Sequence, residues 1–147
     1  MKIDLDNFLK TRGKKFRPNL SEIQKKARHN LQAGNLKSAL FNICEVLVLW
    51  PKKFEGLQLL YQFFDKIGKT RFALVTSEYN HEINSDFFLA HIDYIQALVN
   101  NNKRDQAFCV LDETYLKFRE DDEAVIFLAN IVWDLKNTKI AASYYYY

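Results

Sequence analysis

The chain is poor in residues that interrupt secondary structure, with four glycines and two prolines among 147 residues. A sandwich or barrel needs frequent turns and a phosphate-cradling loop needs clustered glycine, so a helical protein is expected instead. Only two cysteines are present, Cys44 and Cys109, without CxxC or Cys/His spacing. This argues against a disulfide framework or zinc site, and both thiols are expected to line the core of a protein in a reducing compartment. Apolar runs such as Val46–Trp50 fall far short of the roughly 20 residues that cross a bilayer. The opening "MKIDLDNFLK" has neither the cationic start nor the apolar stretch of a secretory signal. A cytoplasmic protein without a membrane span is the expectation.

What the chain does contain is ordinary globular material, 48% hydrophobic and 27% charged, enough for one domain with a sizeable core. The formal net charge of +3 hides an asymmetry. Residues 1–30 carry nine Lys/Arg against Asp4, Asp6 and Glu22, giving +6, and the remaining 12 Lys/Arg and 15 Asp/Glu give −3. The segment "FLKTRGKKFRPN" (residues 8–19) interleaves Phe8 and Phe16 with cations and could meet nucleic-acid phosphate or an anionic surface. Gly13 and Pro18 make it a poor continuous helix, so residues 1–19 read as a basic arm or a short helix, and nothing else in the sequence supports nucleic-acid binding.

Beyond the arm the chain repeats. Ala39, Ala73, Ala107 and Ala141 recur every 34 residues, and five residues before each stand Gly34, Gly68, Asn102 and Lys136. Gly and Asn accept the positive φ that ends many helices, so three of these four are good stop signals. Between the marks, apolar residues step by three or four. The first helix of each unit reads Leu20, Ile23, Ala27, Leu31; Leu57, Leu60, Tyr61, Phe64, Ile67; His91, Tyr94, Ile95, Leu98; and Val125, Leu128, Ala129, Val132, Leu135. The second reads Leu36, Ala39, Leu40, Ile43, Leu47; Phe72, Ala73, Val75, Tyr79, Ile83; Ala107, Val110, Leu111, Tyr115, Phe118; and Ile140, Ala141, Tyr144, Tyr145. Asn19, Asn35, Thr70, Asp86, Asp122 and Asn137 stand where N-caps are expected.

In "AGNLKSALFNICEVLVLWP", Gly34, Leu36, Ala39, Ile43, Val46 and Pro51 fall at the positions that resemble the tetratricopeptide repeat family, helix–turn–helix units of 34 residues. "FEGLQLLYQFFDKIGKTRFALV" supplies Leu57, Leu60, Tyr61, Phe64, Gly68 and Ala73 in the same register. The repeats are degenerate: Leu57 replaces a frequent Trp, Lys26 interrupts an apolar stripe, and Ser85 and Arg119 stand at the closing Pro. The resemblance implies an all-α fold, a right-handed superhelical α-solenoid of antiparallel helix pairs. Repeats would run over 20–53, 54–87, 88–121 and a partial 122–147, three full units and part of a fourth.

Chemistry is hard to find in this pattern. His29, His81 and His91 lack metal-ligand spacing, and His91 lies on an apolar stripe, so a packed histidine is expected. Glu78, His81 and Glu82 in "SEYNHE" read as a solvated face, and "EDDE" (Glu120–Glu123) as anions at a helix start. No GxxxxGK[ST], GxGxxG or GxSxG is present. The expectation is a non-enzymatic protein with no metal or other cofactor.

In the family it resembles, the first helices line a concave groove that receives a peptide or helix. Projecting the register places Gln24, Arg28, Gln58, Gln62, Asp65, Leu89, Ile92, Gln96, Val99, Ile126, Asn130 and Trp133 there, polar in the first half and apolar in the second. One subset of that family grips a partner's terminal carboxylates with Lys, Asn and Arg, but the corresponding places here hold Gln24, Arg28, Leu59, Leu89 and Asp93. Only Arg28 could contribute, so that clamp is not expected. The sequence thus points to a protein-interaction module, an adaptor, co-chaperone or assembly scaffold. The alternatives are an N-terminal scaffold or oligomerisation domain of a longer, even enzymatic protein, and an anionic-surface binder acting through the basic arm. The terminal "NTKIAASYYYY" reads as an eighth helix that stops early, and Tyr144, Tyr146 and Tyr147 as a contact surface for more chain or for a second copy.

Overall fold

A computed structural model of the chain describes residues 19–135, which form seven α-helices and no strand. They are α1 (Leu20–Ala33), α2 (Leu36–Leu49), α3 (Phe54–Lys66), α4 (Thr70–Ile83), α5 (Phe88–Asn100), α6 (Arg104–Phe118) and α7 (Asp122–Leu135). Each helix packs on the next in sequence, and α3 also touches α1 and α5. The unit is a helix pair, α1/α2, α3/α4 and α5/α6, followed by α7. Such an array builds its core between neighbours rather than around one centre.

The turn inside each pair is the same motif three times, for a local reason. Gly34, Gly68 and Asn102 adopt φ of 81°, 76° and 60°. This left-handed step lets the next amide reach back to a carbonyl of the last turn: Asn35 N–H to Asn30 O at 2.8 Å, Lys69 to Phe64 at 2.9 Å, Lys103 to Leu98 at 2.8 Å. The same residues Asn35, Lys69 and Lys103 open the following helix, and no side-chain cap bond forms there. The expected caps at Thr70, Asp86 and Asp122 are therefore displaced. Lys69 and Phe87 occupy the cap positions of α4 and α5, and Asp121 Oδ1 accepts the Glu123 and Ala124 amides ahead of α7 at 3.1 and 3.3 Å. Asn19 caps α1 as expected, accepting the Ser21 amide at 3.1 Å.

Burial follows the 34-residue register. Ala39, Ile43 and Val46 of α2 recur as Ala73, Ser77 and Asn80 of α4 and as Ala107, Leu111 and Thr114 of α6, all buried. A methyl at the first of these positions lets helices cross closely. A second small-residue series went unread in the sequence: Gly56, Ala90 and Ala124, also 34 apart, are buried near the starts of α3, α5 and α7. A Cβ on Gly56 would stand 2.8 Å from Val46 Cγ1 and 3.3 Å from Leu47 Cδ2. Here α2 and α3 approach closely, and the place favours a residue without a side chain. Ile43, Leu59, Ile95, Leu98 and Leu111 are fully buried, each worth roughly 1.5–3 kcal/mol.

Helix α4 keeps Ala73 of the expected stripe in the core but turns the rest of it outward. Phe72, Val75, Tyr79 and Ile83 are exposed, while Ala73, Thr76, Ser77 and Asn80 face the core. The polar groups bury cheaply because each finds a carbonyl: Thr76 Oγ1 donates to Phe72 O at 2.8 Å, Ser77 Oγ to Leu74 O at 3.0 Å, and Asn80 Nδ2 to Phe54 O at 3.3 Å. Close packing thus selects small polar residues over larger apolar ones. Leu40, Ile67 and Tyr115, also assigned to the core, are exposed, and so are both cysteines. Cys44 and Cys109 are each one residue C-terminal to a helix position turned towards the core or partly so, and that 100° step takes them outward.

Candidate functional site

The face expected to bind a partner is built from α1, α3, α5 and α7. Successive first helices touch at α1/α3 and α3/α5, and Phe88 of α5 meets Phe127 of α7 with ring centroids 5.8 Å apart. Arg28, Gln62, Asp65, Leu89, Gln96, Ile126, Asn130 and Trp133 are exposed. Gln24, Gln58, Ile92 and Val99 are half-buried, and Ile92 and Val99 pack against the core around Ile95 and Leu98. The apolar half is therefore divided. Leu89, Ile126 and Trp133 are surface, whereas Ile92 and Val99 lean inward because they border the α5 core stripe. Leu59, matched to a groove position by the family resemblance, is core, at 1% exposure.

The structure assembles a polar group on the α3/α5 seam. Asn100 Nδ2 donates to Asp65 Oδ1 at 3.3 Å, and Gln96 Nε2 donates to Asn100 Oδ1 at 3.1 Å. Asp93 lies beside them, close to Gln58, Tyr61 and Asp65 of α3. Its Oδ2 is shielded from solvent and accepts no hydrogen bond. Burial pushes the Asp93 carboxyl up to about 7, a side-chain hydrogen bond from Gln58 pulls it down, and the neighbouring Asp65 charge raises it. Burial, then Asp93 and Asp65, also raise the Tyr61 phenol. The signal for Asp93 is visible in the register: 34 residues earlier stands core Leu59, so a carboxylate occupies a place where the repeat used an apolar residue. Gln24 Nε2 is likewise shielded and without a hydrogen-bond partner.

A second polar group joins α4, α5 and α6. His91 is buried as expected, but His81 is half-buried against it rather than part of a solvated face. His91 Nε2 lies 2.7 Å from Ser85 O and so carries the proton of that bond, leaving Nδ1 to accept from His81 Nε2 at 3.1 Å. Thr114 Oγ1 also lies 3.2 Å from His91 Nδ1, and donates to Val110 O at 2.7 Å. Burial lowers both imidazoles; for His81, Glu113 and Glu82 oppose this and Lys117 adds to it. For His91 the Ser85 bond and Glu113 oppose it, while His81 and Lys117 add to it. With every ring nitrogen but His81 Nδ1 in a described contact, the pair reads as core support.

Among the described residues no group of three His, Cys, Asp or Glu side chains could hold a metal ion, and no helix is long and apolar enough to cross a membrane. Two shallow depressions, of about 510 Å³ beside Leu74, Glu78, Tyr94 and Cys109 and of about 400 Å³ around Asn102–Gln106, involve none of the expected groove residues. Residues 1–18, Ala141, Tyr144, Tyr146 and Tyr147 lie outside the described residues. Fold and face together define an all-helical array of sequentially packed helix pairs. No family model and no curated protein matches the chain.

Proposed function

We propose that this protein is a non-catalytic interaction module, similar in arrangement to a tetratricopeptide array, that holds a segment of another protein along the face of its first helices. The observation that carries this reading is the side-by-side contact of α1, α3 and α5, with side chains one repeat apart presented in columns. Leu89, Ile126 and Trp133 are apolar and exposed on that face, as anchors for a partner side chain would be. The polar half supplies amides that suit an extended backbone. The test is a pull-down with Leu89→Asp and Trp133→Ala: both keep the helical spectrum and lose the captured partner. Undiminished capture by both variants defeats the reading.

One feature favours an additional role in self-association or docking onto a larger assembly. Phe72, Val75, Tyr79 and Ile83 form an exposed apolar stripe along α4. Sedimentation of the wild type and of Val75→Asp checks it: a monomeric wild type at high micromolar concentration removes the self-association form of this role.

A further inference from the structure

The charges along the edge of the exposed α4 stripe are the wrong way round for a helix on its own. We infer that two copies of this chain pair through α4, antiparallel across a two-fold axis near Val75, with Arg71 of each copy against Glu78 and Glu82 of the other. This rests on the self-association reading of the stripe above and narrows it to one occupant and one orientation.

A helix is stabilised by acidic side chains in its first turn and basic ones in its last, where they meet the ends of its dipole. Helix α3 opens with Glu55 and closes with Lys66, and α6 opens with Asp105 and closes with Lys117. Helix α4 is inverted. Its first turn has no acidic residue and holds Arg71, two positions after Lys69. Its last turn holds Glu82, where the basic group is His81, kept towards the neutral form by burial. Glu78 and Glu82 stand one turn apart and repel each other. Nothing within the described residues relieves this: Lys69, Arg71, Glu78 and Glu82 are exposed, and the ion pairs Lys117–Asp86 and Arg119–Glu120 involve none of them. A surface that compensates α4 must present an acidic end to its start and a basic end to its finish. An antiparallel copy of α4 does both.

The stripe has the matching geometry. At 100° per residue, Phe72, Val75, Tyr79 and Ile83 span an arc of about 80°, and Arg71, Glu78 and Glu82 all fall along one edge of it, beyond Val75. When two such faces meet antiparallel across a two-fold axis, the same edge of each copy comes together. An axis near Val75 then lays Phe72 beside Tyr79 of the other copy and sets Arg71 between its Glu78 and Glu82. Parallel pairing would set one cationic start beside another. Phe41, at the place in α2 that Val75 fills one repeat later, is exposed as well. Helix α4 has 14 residues, about 21 Å, so the contact is small against the roughly 800 Å² per partner of a tight complex, and the pair is a reversible one. It uses none of the residues of the first-helix face, so a pair displays that face twice.

The experiment is sedimentation of the full chain from low to high micromolar concentration. Wild type should pass from monomer to dimer and stop there, because a two-fold contact is used up in the pair. Val75→Asp should abolish the dimer. Arg71→Glu should raise Kd at least about tenfold, and adding Glu78→Arg and Glu82→Arg should return it to within about threefold of wild type, with unchanged helical spectra throughout. In a Cys44→Ser, Cys109→Ser background, which removes the exposed native thiols, Val75→Cys should give a disulfide-linked dimer on mild oxidation and Ile126→Cys should not. A dimer lost in Val75→Asp but indifferent to Arg71→Glu, not restored by the exchanged charges, or without the Val75→Cys cross-link keeps the stripe as a self-association surface and discards the antiparallel pairing. Growth past the dimer discards it too. A monomeric wild type, or a dimer that survives Val75→Asp, overturns both the inference and the self-association reading beneath it.

Discussion

Replacing Asp93 by Asn should stabilise the free protein, with a pH signature that identifies the cause. In the unfolded chain the carboxyl has the ordinary pKa of 3.8; in the fold burial and Asp65 hold it at about 7 against the Gln58 side chain. A group whose folded pKa is raised binds more protons folded than unfolded, so acid favours the fold and its ionisation opposes it. Below 3.8 both states are neutral and ionisation contributes nothing. Through the window from 3.8 to about 7 wild-type stability falls, and above 7 the full penalty is present. Each tenfold step is worth about 1.4 kcal/mol, so the ceiling is about 4 kcal/mol, and because the side chain is partly solvated we expect about 2–4 kcal/mol. That is a large share of the 5–15 kcal/mol typical of a domain. Urea unfolding followed by circular dichroism at pH 4 and pH 8 measures it. Asp93→Asn and wild type should differ least at pH 4, and the variant should be the more stable by the stated amount at pH 8. The comparison cancels the titrating groups that do not interact with Asp93. A difference independent of pH, or one that favours wild type at pH 8, refutes the account of Asp93.

The remaining predictions concern packing and the histidine pair. Gly56→Ala should cost about 1–3 kcal/mol in overpacking against Val46, offset by up to about 1 kcal/mol of helix propensity, and a variant at least as stable as wild type in urea would show that α2 and α3 can part freely. His81 and His91 have folded pKa values lowered below 6.5, so the unfolded chain protonates first and stability is lost as pH falls from about 6.5. Measured in the Asp93→Asn background, where the opposing carboxyl is gone, unfolding at pH 5.0 and 7.5 should show that loss, and His91→Gln should reduce it. An unchanged pH slope after that substitution would remove His91 as its source.

How legible each part was depends on where its cause lies. Gly34, Gly68 and Asn102 were readable because a left-handed residue acts within its own turn. The Ala39, Ala73 and Ala107 register was readable because a close helix crossing repeated every unit demands a small residue at one period. The α4 face was misread because hydrophobic periodicity counts Phe72, Val75 and Tyr79 as core, whereas crossing distance admits only Ala73, Thr76, Ser77 and Asn80. The candidate face was half legible: the register places its residues on the first helices, but Ile92 and Val99 turned inward while Leu89 did not, a distinction of tens of degrees around α5.

By itself, then, the sequence determined the helix pairs, their turns and their period, since each depends on contacts a few residues apart or on a spacing that recurs along the chain. Only the tertiary structure decided that Asp93 would lose its solvent beside Tyr61 and Gln58, that Asn100 would reach Asp65 35 positions away, and that His81 would join His91. Desolvation and charge proximity are set by what packs from another helix, and that information appears in no local pattern.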